Sequence, residues 1–95
     1  MTENRVTPAQ IDALMAEVTY YVHAIPDTTT TLAVAFDARG FSLATGLSAC
    51  VDPANFDAEL GKQYACEQAE RNAREELWKL EGYRLKAALA EATEE

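Results

Sequence analysis

The sequence predicts a single small α+β domain, and three observations carry that expectation. Apolar residues recur at helical spacing near the start, two strand-like runs between 30 and 51 flank a turn that ends in glycine, and a long helical pattern follows. The expected order is an N-terminal helix, a small antiparallel β-sheet (a hairpin at about 30–51) and a long C-terminal helix at about 54–80. A kink or break is expected near Gly82, with a final helix to about 92 and a frayed tail.

Thr7-Pro8-Ala9-Gln10 is a helix start: Thr7 can cap, Pro8 suits the first helical position, and Gln10 completes a capping box. Ile11, Leu14, Met15 and Val18 follow on one face. The helix is expected to fade in 18–23, where β-branched and aromatic residues favour extended backbone. Pro26-Asp27 marks a turn, and the threonines at 28–31 read as a loop entering a strand. In the first strand Leu32, Val34 and Phe36 share one face; in the second, Phe41 and Leu43 do. Asp37-Ala38-Arg39-Gly40 joins the two strands, with glycine where a positive φ is wanted. Gly46 marks a bulge or a close backbone approach. Asp52 with Pro53, or else Asn55, caps the long helix, and Gly82 costs about 1 kcal/mol against alanine in a helix interior.

A chain of 95 residues buries only about 60–65% of its unfolded surface, so its core needs reinforcement. Cys50 and Cys66 are too few for a disulfide framework, and His23 has no His or Cys at metal-ligand spacing. Self-association is therefore the expected reinforcement. The polar opening at 1–5 reads as no signal peptide, and no apolar run approaches the roughly 18 residues of a membrane span. Together with the unpaired cysteines, this predicts a cytoplasmic protein without a membrane role. The net charge is −8, with eleven acids and six bases in 51–95 against five and two in 1–50. Such a field disfavours long nucleic acids, whose binding needs many Lys and Arg contacts. A small nucleotide stays possible, because two or three placed cations outweigh a diffuse surface charge.

The long helix holds most of the chemistry. Ala65, Ala69 and Ala73 recur every four residues, with Cys66 and Leu77 beside them, and form a stripe that another element can approach closely. Phe56, Leu60, Tyr64 and Trp78 lie on another side, so the helix is apolar on two sides and a second chain is expected to cover one. Arg71 and Arg74 stand three apart, a forked pair suited to phosphate. By spacing alone, ion pairing with Glu67 and Glu70 four residues earlier is the better reading. Asn55 offers an amide to a base or ribose, and Phe56 a ring, although aromatic residues in small domains are more often core. Ser48 and Cys50 lack a nucleophile-elbow context, the only base in reach by type is His23, and no phosphate-loop or dinucleotide glycine pattern occurs. No catalytic residue, metal ligand or cofactor is expected, and the chain reads as a binder.

The stretch 46–61, Gly-Leu-Ser-Ala-Cys-Val-Asp-Pro-Ala-Asn-Phe-Asp-Ala-Glu-Leu-Gly, carries a resemblance. So does 69–85, with Asn72-Ala73-Arg74 and Leu77-Trp78-Lys79-Leu80-Glu81-Gly82-Tyr83, and the Arg5-Val6-Thr7-Pro8 opening fits as well. Together they resemble a family of small phage and prophage proteins named after gene 49 and gene 66 of two enterobacterial phages. That family is similar to the first type of Thoeris anti-defence protein, a sponge that sequesters cyclic ADP-ribose isomers without cleaving them; some members are thought to hold cyclic oligonucleotides too. The resemblance implies an assembly of dimers with nucleotide pockets at chain interfaces, in the cytoplasm of an infected bacterial host. It points to Asn55, Phe56, Arg71 and Arg74 as ligand-binding residues. Arg84 and Ala87-Ala88 depart from the expected pattern, which puts a pocket built on the final helix in doubt. Two rivals are an adaptor or inhibitor that binds a host protein through its acidic surface, and a small enzyme acting on nucleotides.

Overall fold

The computed structural model describes residues 5–92. Helix α1 (Pro8–Met15) leads into a three-stranded antiparallel sheet of β1 (Thr19–Ala24), β2 (Thr30–Phe36) and β3 (Ser42–Ala49), and helix α2 (Ala58–Ala92) closes the chain. The strands lie in the order β1-β2-β3, a meander with β2 in the middle. The α+β class and the element order are as predicted, and the extended backbone expected at 18–23 becomes a full third strand. The fraying expected beyond Ala92 lies outside the described residues.

Local chemistry explains the ends of each element. Gln10 N–H donates to Thr7 Oγ1 at 3.3 Å, and Thr7 N–H donates back to Gln10 Oε1 at 2.8 Å, which closes the capping box of α1. At the β2–β3 hairpin, Asp37 Oδ1 accepts from Arg39 N–H and Phe41 N–H, and Gly40 takes φ 81°. Ala35 pairs with Ala44 but Phe36 with Ser42, so Leu43 is the extra residue of a bulge. That bulge buries Leu43 and leaves Phe41 outside the strand and 62% exposed, so the two do not share a face as expected.

The long helix differs from its expected limits in two places. Residues Pro53–Asn55 form a separate 3-10 turn, with Asp52 accepting from Ala54 N–H, and α2 itself starts at Ala58. Asp57 is its cap, accepting from the N–H groups of Glu59 and Leu60. Further on, α2 continues through Gly82 without a break. Good helix formers stand on both sides, and one glycine costs only about 1 kcal/mol against alanine, which is too little to end a helix already propagating. The radius of gyration is 17.3 Å, against about 12 Å for a compact chain of this length. Part of α2 therefore projects beyond the body.

The core lies between α2 and one face of the sheet, and it is built from small residues. Ala65, Ala69 and Ala73 of α2 and Ala33 and Ala35 of β2 are fully buried, joined by Ile11, Met15, Leu43 and Leu77 at one end. A Cβ on Gly46 would overlap the Ala65 carbonyl oxygen and the Ala69 backbone nitrogen. Helix and strand backbones therefore meet at Gly46, and the close approach read from the sequence is its reason. Around the outer edge of β3, Gln68 Oε1 accepts from Leu47 N–H at 2.6 Å and Asn72 Nδ2 donates to the Thr45 carbonyl at 2.9 Å. Two side-chain amides thus satisfy backbone groups that an edge strand otherwise leaves open.

The strand register decides which side chains face α2. Tyr21 opposes Val34, and His23 and Leu47 both oppose Leu32, so these share a face with Phe36. Thr31, Ala33 and Ala35 are the buried residues of β2. The bulky row predicted to share a face does so, and that face is turned away from the helix.

Candidate functional site

A hollow of about 190 Å³ lies where the end of the sheet meets the start of α2. Asn55 and Phe56, both expected at a binding site, line it together with Leu60 and Tyr64 from the first turns of α2. Ser48 and Cys50 line the strand side. The floor is Gly61, which is buried, and a Cβ there would stand 2.8 Å from Thr31 Oγ1 and 3.7 Å from the Phe56 ring. Glycine at 61 thus lets the helix settle onto Thr31 while Phe56 stays beside it.

Polar groups around this hollow are partly committed. Asn55 Nδ2 donates to Asp52 Oδ2 at 3.2 Å, and its side-chain carbonyl oxygen keeps its capacity to accept. Cys50 Sγ donates to the Asp52 carbonyl at 3.2 Å, and Thr29 Oγ1 donates to the Cys50 carbonyl. The Thr31 hydroxyl, fully buried behind Gly61, finds no hydrogen-bond partner among the described residues. An unpartnered buried hydroxyl costs about 1–3 kcal/mol, and Gly61 separates this one from the hollow, whose lining does not include Thr31. His23 stands on β1 beside Tyr21, rings stacked at 6.1 Å, and shares a face with Leu32 rather than with Ser48.

Arg71 and Arg74 are not brought to this hollow. They follow Gly61 by ten and thirteen residues on the same straight element, roughly 15 and 20 Å along its axis. Arg74 Nη1 donates to Asp12 Oδ1 at 2.7 Å, which ties α2 to α1. The ion pair expected with Glu70 is thus replaced by one to another helix, and Arg71 is exposed. Nearby, burial first and then Glu70 raise both the Tyr20 phenol and the Cys66 thiol above their ordinary values. Both groups stay protonated at neutral pH.

A second hollow, about 360 Å³, opens at the opposite end of the body beside the hairpin turn. Arg39, Arg84 and Phe41 line it, but so do Glu17, Asp37 and Glu81. Arg84 Nη2 already donates to Glu81 Oε1 at 2.9 Å. Backbone N–H groups of Phe41 and Arg39 hold the Asp37 carboxyl below the usual carboxylate range, so it stays ionised. Three acids against two guanidiniums make this larger hollow a poor receptor for an anion, and none of the expected binding residues reaches it.

Tyr64, Gly61 and Thr31 were not singled out from the sequence as binding residues. Tyr64 was legible in part, since it shares a helix side with Phe56 and Leu60. Thr31 was not, because its burial depends on strand register. Among the described residues, no group of three or more His, Cys, Asp or Glu could hold a metal ion, and no helix is long and apolar enough to cross a membrane.

Neither a curated protein nor a solved structure matches the chain. A family model does, over residues 6–89, which takes in both hollows and nearly all of α2. The motifs at 46–61 and 69–85 both fall inside that match, and the chain belongs to the phage protein (N4 Gp49/phage Sf6 gene 66) family.

Proposed function

We propose that this phage protein is a sponge: it captures a small cyclic nucleotide immune signal whole and holds it without cleavage in the cytoplasm of the infected host. The observation that carries this reading is the meeting of Asn55, Phe56 and Tyr64 around one hollow. Aromatic rings supply stacking area for a base, and an amide and hydroxyls supply the few oriented polar contacts that set recognition. A volume of about 190 Å³ falls below the roughly 300–1,000 Å³ of sites that enclose a drug-sized ligand. The reading therefore includes self-association, as a dimer or a dimer-based assembly, with a second copy completing the enclosure. Arg71, exposed on α2, is the cation assigned to phosphate, presented by a further copy in a dimer-based assembly. Arg74 joins it if its Asp12 contact yields.

Sequestration demands a slow off-rate more than a fast on-rate, and closure by a second chain serves that end. The test is a thermal-shift panel of cyclic ADP-ribose isomers and cyclic di- and trinucleotides, followed by chromatography of what heat releases. A ligand at a hundredfold its dissociation constant adds about 2.7 kcal/mol to stability. Phe56→Ala and Asn55→Ala should abolish most of the shift, and the released ligand should be chemically intact. A changed product would make the protein an enzyme. No shift with any nucleotide, together with a host protein recovered by pull-down, would make it an adaptor.

A further inference from the structure

The sheet face turned away from α2 has no covering element among the described residues, since the helix packing on the sheet comes from α2 alone. Its larger side chains are Tyr21, His23, Leu32, Val34, Phe36 and Leu47. A sheet with one wet face alternates apolar inward and polar outward. Here β2 does the reverse, with Ala33 and Ala35 inward and fully buried and its three bulky residues outward. Tyr21 and Leu47 remain 57% and 56% exposed. The three strands contain no Asp, Glu, Lys or Arg in a chain that is 25% charged.

We infer that this open face packs, sheet against sheet, on the same face of a second copy of the chain. The inference rests on the self-association in the reading above and deepens it by naming the surface; it does not depend on which ligand is held. Charge selects the occupant. Each copy carries a net charge of −8, so two copies can close only where neither presents ionised groups, and the strands are such a region. A basic partner would be drawn to the acidic helix surfaces instead. An anionic membrane would be repelled by the whole and would find no Lys or Arg on this face. Strands about 4.8 Å apart, rising about 3.3 Å per residue, give a flat footprint of roughly 350 Å². That is too broad for a small ligand, and on the scale of the apolar centre of an interface burying about 800 Å² per partner.

Shape agrees with a two-fold pairing. The central row of Leu32, Val34 and Phe36 is flanked by the bulky Tyr21, His23 and Leu47 and by the small Thr19, Thr45 and Ala49. Large and small side chains thus alternate across the face, and aligned sheets interdigitate such uneven surfaces across a two-fold axis. Ala49 also lines the candidate hollow, so a copy seated on this face reaches the hollow's rim.

Sedimentation of the ligand-free protein between 1 and 100 μM, with circular dichroism to verify folding, tests the inference. The wild type should sediment at twice 10.4 kDa or a higher even multiple. Tyr21→Lys and Leu47→Lys change side chains already more than half exposed, so each should fold, and each should weaken association at least about a hundredfold by facing two ammonium groups across an apolar seam. Tyr83→Lys, at a side chain 74% exposed on α2 and outside this face, should leave the mass unchanged. A wild type that stays at 10.4 kDa would overturn self-association altogether. An associated wild type whose mass survives both open-face substitutions, or is lost with Tyr83→Lys, would overturn the assignment of this face alone.

Discussion

The two faces of the sheet are made from the same strands and follow opposite rules. Toward α2, β2 and β3 present Thr31, Ala33, Ala35, Ala44 and Gly46, which meet Gly61, Ala65, Ala69 and Ala73 of the helix, and only β1 adds bulkier groups there, Tyr20 and Val22. Away from α2 they are Tyr21, Leu32, Val34, Phe36 and Leu47. The inner face gains stability from closeness: small groups let backbones touch, so many weak dispersion contacts form at short range. The outer face holds its apolar area in reserve. Size alone does not say which side of a strand is core; the side whose partner is equally small wins, because only there can the layers close without gaps.

The largest expected effect tests the inner face. Gly46→Ala sets a methyl against the backbone of α2 at Ala65 and Ala69. Because backbone cannot step aside as a side chain can, a loss of about 3 kcal/mol is expected in urea unfolding. A loss below about 1 kcal/mol would mean that the layers are not in backbone contact. The matching change on the outer face is Leu47→Thr, at a side chain 56% exposed. At concentrations low enough to dissociate any assembly it should cost about 0.5 kcal/mol or less. Equal costs at the two positions would erase the distinction between the faces.

Smaller effects sharpen the comparison at its margins. Asn72→Ala removes the donor to the Thr45 carbonyl at the rim between the faces. It should cost about 1 kcal/mol, and amide exchange in β3 should quicken first there. Gly82→Ala, where an added methyl meets nothing within 4 Å, should stabilise α2 by up to about 1 kcal/mol in thermal unfolding. No gain would mean that something approaches Gly82 in the assembled protein. The mildest effect is at the hairpin. The Asp37 carboxyl is held below its ordinary value by the Phe41 and Arg39 N–H groups. Its contribution is therefore complete above the usual carboxylate range and fades as pH falls through the lowered value. Asp37→Asn should flatten the acid limb of a stability–pH curve slightly.

Much of this arrangement was legible in the residues. Thr7 with Gln10 announced a capping box, the turn at Asp37-Ala38-Arg39-Gly40 announced a positive φ, and Gly46 announced a close approach; each is a local rule satisfied by local geometry. The alanines at 65, 69 and 73 announced a close neighbour without naming it. Its identity depends on long-range pairing: only the register of β2 against β3 brings Ala33 and Gly46 side by side beneath the helix. The site divided for the same reason. Asn55 and Phe56 are neighbours in sequence and stay together, whereas the arginines at 71 and 74 lie ten and thirteen residues past Gly61 on one uninterrupted helix, which carries them away from Phe56.

The amides of Gln68 and Asn72 have a consequence for growth. On that flank the Leu47 N–H and the Thr45 carbonyl are already taken, so an added strand would meet an interrupted ladder, and ribbons of copies would start more readily from β1. With one favoured flank per molecule, such joining tends to stop at a pair. A protein with a wide uncharged strand surface is thereby guarded against running on into fibres.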